Sequence, residues 1–161
     1  MSSIGLLDTS TSKGRIQQGD IYENILETLL KNNNLNFINI NNQKKFSYYD
    51  FLNRNKDFPT ILELKSKNVG CYKNNSNINL VSCHKIECFR KSKLKYKTLR
   101  FFYIYCYIEP NNNHTFAIFE IKLDEIDEDI FFKTYMKDKQ PYLEVPLRFF
   151  IPLEENINIL K

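Results

Sequence analysis

Phe46-Ser-Tyr-Tyr-Asp50-Phe-Leu52, the polar stretch Asn53–Pro59 and Thr60-Ile-Leu-Glu63-Leu-Lys65 together decide how this chain is read. The two outer pieces are rich in aromatic and branched residues and flank turn-forming residues, the mark of two strands joined as a hairpin. Glu63 and Lys65 are two apart, so on a strand both leave one face, while Leu62 and Leu64 point into a core. With the loop centred near Lys56-Asp57, Asp50 lies across from Glu63, and cross-strand neighbours share a face. Asp50, Glu63 and Lys65 then converge on one polar spot beside apolar residues, which costs stability. An ordinary solvated strand face, with Asp50 at a hairpin edge, would carry the same letters.

Upstream, Ile21, Ile25, Leu26, Leu29 and Leu30 recur at helical spacing, predicting a helix over Gly19–Leu30 that the tract Asn32–Asn34 stops. The first 14 residues, rich in Ser and Thr, read as a mobile tail, and residues 15–161 as a single domain. Leu35–Ile40 suggests a short strand. Downstream, Ile78–Phe89 is ambiguous, although Leu80, His84 and Cys88 would share one helical face. Strands are predicted over Arg100–Ile108, Thr115–Lys122 and Tyr142–Phe150, and an acidic amphipathic helix over about Asp124–Tyr135. Helix, antiparallel strands, helix and further strands make an α/β or α+β domain.

The chemistry that uses two carboxylates and an ammonium at one place is metal-assisted phosphodiester hydrolysis. Two hard carboxylate oxygens, with solvent and a phosphate oxygen, suit octahedral Mg²⁺. A lysine can orient or help deprotonate the attacking water and offset phosphate charge. On these residues the chain resembles the PD-(D/E)XK, or restriction-endonuclease-like, nuclease superfamily. Asp50 stands on one strand, Glu63-Leu64-Lys65 on the next, and Glu23 on a preceding helix. Lys13-Gly14-Arg15, with Gly19 and Glu23, is similar to the start of that helix in several members. The resemblance spans Lys13 to Lys67, about a third of the chain. It implies an αβββαβ core with additional C-terminal strands and a helix, a Mg²⁺ or Mn²⁺ requirement, and DNA cleavage. Asp50 and Glu63 would bind metal, Lys65 would position water, and Glu23 would support the metal or its waters.

Two departures stand out. Tyr49 occupies the place of the Pro that names the motif, and the one Asp-Phe-Pro, at Asp57, lies six residues before Glu63. A second Glu-x-Lys, Glu120-Ile121-Lys122, has no preceding strand with a central Asp and is set aside.

Composition bounds the alternatives. The 161 residues are 42% hydrophobic and 26% charged, enough for one buried core and too apolar for a disordered chain. No apolar run approaches the roughly 18 residues of a membrane helix. No export signal precedes the first helix, so an intracellular location is expected. Net charge is +4, and Lys85, Arg90, Lys91, Lys93, Lys95, Lys97 and Arg100 cluster against the single acid Glu87. Lys67, Lys73, Arg90, Lys91 and Lys93 are candidates for phosphate contacts to DNA, although such runs are often simply solvated. Cys71, Cys83, Cys88 and Cys106 lack paired zinc-ligand spacing and read as free thiols. Four glycines leave no room for a phosphate-cradling loop, so no nucleotide cofactor is expected.

The expectation is a small metal-dependent endonuclease, resolvase-like or of homing or restriction type. One site per chain suggests a homodimer for cutting both strands. The competing class is a non-catalytic nucleic-acid- or protein-binding module with a degenerate nuclease fold; a third is an assembly protein whose aromatic strands form an oligomer interface.

Overall fold

The computed structural model describes residues 12–40, 49–55, 57–69, 77–127, 131–135 and 139–161. Helix α1 (Ser12–Asn32) leads into strands β1 (Ile38–Asn39), β2 (Phe51–Asn53) and β3 (Thr60–Asn68). Strand β4 (Ile78–Ser82) and helix α2 (Cys83–Lys95) precede the long strands β5 (Arg100–Ile108) and β6 (His114–Glu120). A short helix α3 (Leu123–Asp127), strands β7 (Phe132–Tyr135), β8 (Pro141–Pro146) and β9 (Ile151–Pro152), and a 3₁₀ segment at Glu154–Leu160 complete the chain.

The main sheet has six strands in the order β1-β2-β3-β5-β6-β9, and β4-β8-β7 form a smaller one. β3 and β5 run parallel, joined by the β4–α2 crossover, while the other neighbours in the main sheet are antiparallel. α1 begins at Ser12, so residues 12–14, assigned to the tail by composition, are helical. It presents Tyr22, Leu26 and Leu30, at i, i+4 and i+8, to Phe51, Leu62, Leu64, Phe102 and Ile104. It ends where the asparagine tract begins. Asn34 takes a left-handed φ of 59°, and the Leu35 N–H donates to the Leu30 carbonyl at 3.0 Å, a Schellman stop.

The sheet's other face carries a second core in which Ile61, Phe101, Tyr103 and Tyr105 meet Ile86 and Phe89 of α2 and Val81, Leu143 and Val145 of the small sheet. Both faces are thus covered, as a sheet with a parallel pair requires. No helix among the described residues is long and apolar enough to cross a membrane.

Several elements differ from the sequence reading. Ile78–Phe89 divides at Ser82, whose side chain accepts from the Lys85 N–H and caps α2, so Leu80 stands on a strand, apart from the helical face carrying His84 and Cys88. Of the expected acidic helix, Leu123–Asp127 is helical and residues 128–130 lie outside the described residues, while Phe132–Tyr135 pairs with β8, because a ladder partner outweighs helical spacing there. β8 ends at Pro146 and turns through Leu147–Phe149, so the expected strand to Phe150 is shorter. β1 keeps two residues of its expected six. Cys83, Cys88 and Cys106 are free thiols, and burial pushes Cys106 up to about 12; Cys71 lies outside the described residues.

Candidate active site

The β2–β3 hairpin has the register Phe51↔Leu62, Leu52↔Ile61 and Asn53↔Thr60. Asparagines shape its loop: Asn53 Oδ1 accepts from the Asn55 N–H and Asn55 Oδ1 from the Asp57 N–H, at 3.0 and 2.9 Å. One step further along this register is the Asp50–Glu63 position, and there the ladder breaks. The Asp50 N–H donates to the Leu62 carbonyl at 3.0 Å, one residue early. The Asp50 carboxylate Oδ2 then accepts the Leu64 N–H at 2.7 Å, replacing a strand carbonyl by a side chain. Among the described residues, no strand pairs with β3 on that side beyond Leu62. The site therefore opens where β2 leaves β3.

Glu63 projects from the face that bears Ile61, toward α2, and is only 3% exposed. Lys65 Nζ lies 3.6 Å from its Oε1, and Lys85 Nζ, from the first turn of α2, 3.4 Å from its Oε2. Oε2 has Lys85 as its ion partner but makes no hydrogen bond of good geometry. Burial, followed by repulsion from Asp50, raises the Glu63 carboxyl from 4.5 to about 7; Lys65 and Lys85 pull the other way without prevailing. Lys65 is about half exposed, so its ammonium stands at the mouth of the site. Lys85 also sits 5.7 Å over the Tyr49 ring.

Lys85 is the residue that sequence reasoning did not single out. Its position depends on β4, whose one edge pairs with β8 while the other rests on side chains. Lys67 Nζ donates to the Ile78 carbonyl at 2.7 Å, Tyr105 Oη to the Leu80 carbonyl at 2.6 Å, and the Ser82 N–H to Tyr103 Oη at 3.0 Å. These alternate groups act as a substitute strand, satisfying the buried edge and delivering the start of α2 above Glu63. A signal was available. Ser82 before Ile86 and Phe89 reads as an N-cap, which puts Lys85 in a first turn, where a cation opposes the helix dipole.

The remaining candidates separate. Asp50, Glu63 and Lys65 come together. Glu23 is half-buried on α1, whose Tyr22 and Leu26 pack on the sheet face opposite Glu63. Among the described residues no three or more His, Cys, Asp or Glu side chains group so as to hold a metal ion, so Glu23 does not complete a three-carboxylate cluster. Lys67 supports β4, and burial lowers its pKa. Arg90 pairs with Glu87 at 3.2 Å, Lys93 Nζ donates to the Leu99 carbonyl at 3.0 Å, and Lys91 is exposed. Lys73 lies outside the described residues.

The second Glu-x-Lys is structural at its acid. Glu120 accepts from Arg100 Nε and Nη2, each at 3.3 Å, while Arg100 Nη1 donates to the Ile159 carbonyl and the guanidinium covers Phe102. That pair is geometrically saturated, and Lys122 lies beyond the strand.

No protein-family model matches the chain, and no curated protein matches it. Among solved structures, D212, a nuclease from a fusselovirus, is similar over 93% of this chain and 92% of its own. The TM-score is 0.53 at 18% sequence identity, which establishes a likeness of fold.

Proposed function

We propose that the protein is a metal-dependent DNA endonuclease whose site is built from Asp50, Glu63 and Lys65, with Lys85 as a fourth member. The observation that carries this reading is the fork between β2 and β3, where a buried carboxylate meets a second carboxylate and two ammonium groups. The fold shared with a viral nuclease supports it.

The donor set fits a hard dication. Two carboxylates supply oxygen ligands, and Mg²⁺ keeps several waters or phosphate oxygens instead of an all-protein cage. Glu63, raised by burial and by Asp50, gains most from a cation that relieves both. When bound, such an ion would neutralise phosphate charge and lower the pKa of a water. The chain's own groups do the rest. Asp50, fixed by the Leu64 N–H, and Glu63, fixed by β3, hold their carboxylates in place. Lys65, at the mouth, orients the attacking water and offsets charge growing on the phosphate. Lys85 restrains Glu63 through its ion pair, and Glu23 would support ligand waters. A homodimer would place one such site on each strand of a resolvase, homing or restriction-type substrate.

The test is cleavage of supercoiled plasmid and of a four-way junction in Mg²⁺, Mn²⁺ or EDTA, beside Glu63→Ala and Lys65→Ala. Metal-dependent cutting lost in both variants is the expected result. Cutting that survives both removes this site from the reaction.

A further inference from the structure

A cavity of about 580 Å³ adjoins the site on the α2 face, between the β2–β3 hairpin and the C-terminal end of α2. Ile61 and Leu99, both buried, form its base; Tyr49 and Tyr96 contribute rings, and Arg54 a cation at the exposed rim. None of its lining residues is acidic. Lys95 Nζ adds a second cation 5.3 Å over the Tyr96 ring. Two positions tie the cavity to the carboxylates: Tyr49 directly precedes Asp50, and Ile61 shares a strand face with Glu63, about 6.6 Å along β3. Arg54 and Asn55 also line a neighbouring cavity of about 740 Å³, so Arg54 stands on the ridge between the two hollows.

We infer that this cavity receives an unpaired nucleobase of the substrate strand, next to the phosphate that is cut at the Asp50–Glu63 site. The inference rests on the nuclease reading and deepens it, naming single-stranded, flapped or distorted DNA as the substrate class. Flat apolar walls with aromatic rings suit a base of any identity, because every base has a π-face. Cations at the rim suit the phosphates on either side. A base inside a continuous duplex cannot reach such a hollow without leaving its stack, which costs a few kcal/mol. A strand that arrives already open avoids that cost and binds more tightly.

The test is binding in EDTA, where cleavage plays no part. A short oligonucleotide carrying 2-aminopurine is presented single-stranded or as a duplex, to wild type, Tyr96→Ala and the cavity-filling Ser92→Trp. Stacking in the cavity quenches 2-aminopurine, single strand binds more tightly than duplex, and each variant loses affinity by about 5- to 100-fold. Circular dichroism checks that both variants fold, and Arg54→Ala, at an exposed position, gives an independent loss. Equal binding of the two substrates, or quenching unchanged in Tyr96→Ala and Ser92→Trp, overturns the inference. Plasmid cutting that depends on Glu63 alongside unchanged quenching would leave the nuclease reading standing and remove the cavity's role. Quenching lost in the variants without any cutting would do the reverse.

Discussion

Glu63→Gln should stabilise the metal-free protein at pH 8 relative to wild type and lose that advantage by pH 5. The Glu63 carboxyl rises from 4.5 to about 7 on folding, through burial and then Asp50. Because the folded state holds this proton more tightly than the unfolded chain, stability is full below pH 4.5 and is lost as pH rises through 7. At 1.36 kcal/mol per unit, the loss comes to about 3 kcal/mol overall, most of it between pH 5 and 8. Glutamine has nearly the same shape and does not titrate, so the difference between the two proteins isolates this group. Urea unfolding in EDTA at pH 5, 6, 7 and 8 measures it. Adding Mg²⁺ or Ca²⁺ at pH 8 should restore wild type, by about 2.7 kcal/mol at a hundredfold excess over Kd, and leave the variant unmoved. A difference that stays flat across these pH values, or one that grows toward pH 5, refutes the argument that burial and Asp50 outweigh the two lysines.

Other outcomes follow from the same geometry. Lys85→Met removes the ammonium 3.4 Å from Glu63; the acid limb of the cleavage profile should move to higher pH, with a loss of roughly tenfold or more at pH 7. Tyr105→Phe strips the Leu80 carbonyl of its donor and should cost about 1–2 kcal/mol in urea unfolding, with a fall in cleavage if β4 also positions Lys85. Glu120→Ala should cost about 1–2 kcal/mol through the Arg100 pair yet leave cleavage unchanged, a direct check that the second Glu-x-Lys is structural. Lys91→Ala should lower the slope of log affinity against log salt by about one without moving Tm.

What was legible in the sequence is local. The i, i+4 spacing of Tyr22, Leu26 and Leu30 and the left-handed tolerance of Asn34 set α1 and its end. Alternation and loop length set the hairpin, whose register runs to Phe51↔Leu62; the expected step to Asp50 across from Glu63 is where the ladder breaks, the Asp50 N–H bonding the Leu62 carbonyl instead. What was not legible depends on partners distant in the chain. β4 is a strand because β8, some sixty residues later, offers it a ladder and tyrosine hydroxyls from β5 satisfy its other edge, and no window around Ile78–Phe89 contains that information. β7 exists for the same kind of reason: β8 offers a ladder, and helical spacing yields to it. Lys67 shows the same limit, because nothing near it in the sequence gives the Ile78 carbonyl that its ammonium caps.

Two local rules break at the same point. A lysine in the first turn of α2 works against the helix dipole, and a carboxylate 3% exposed is held against a second carboxylate. An ion pair kept only for stability has no need of either. Arg100–Glu120 shows what that looks like here: both carboxylate oxygens bonded, the guanidinium's other nitrogen on a carbonyl and its face on a ring. Glu63 has more charge around it and fewer bonds, with Oε2 lacking a hydrogen bond despite Lys85 at 3.4 Å. Sequences that fold well keep their levels consistent and depart from that mainly where function requires it. A dication held by these carboxylates would relieve the departure at Glu63, and it would supply the charge neutralisation that the proposed hydrolysis uses.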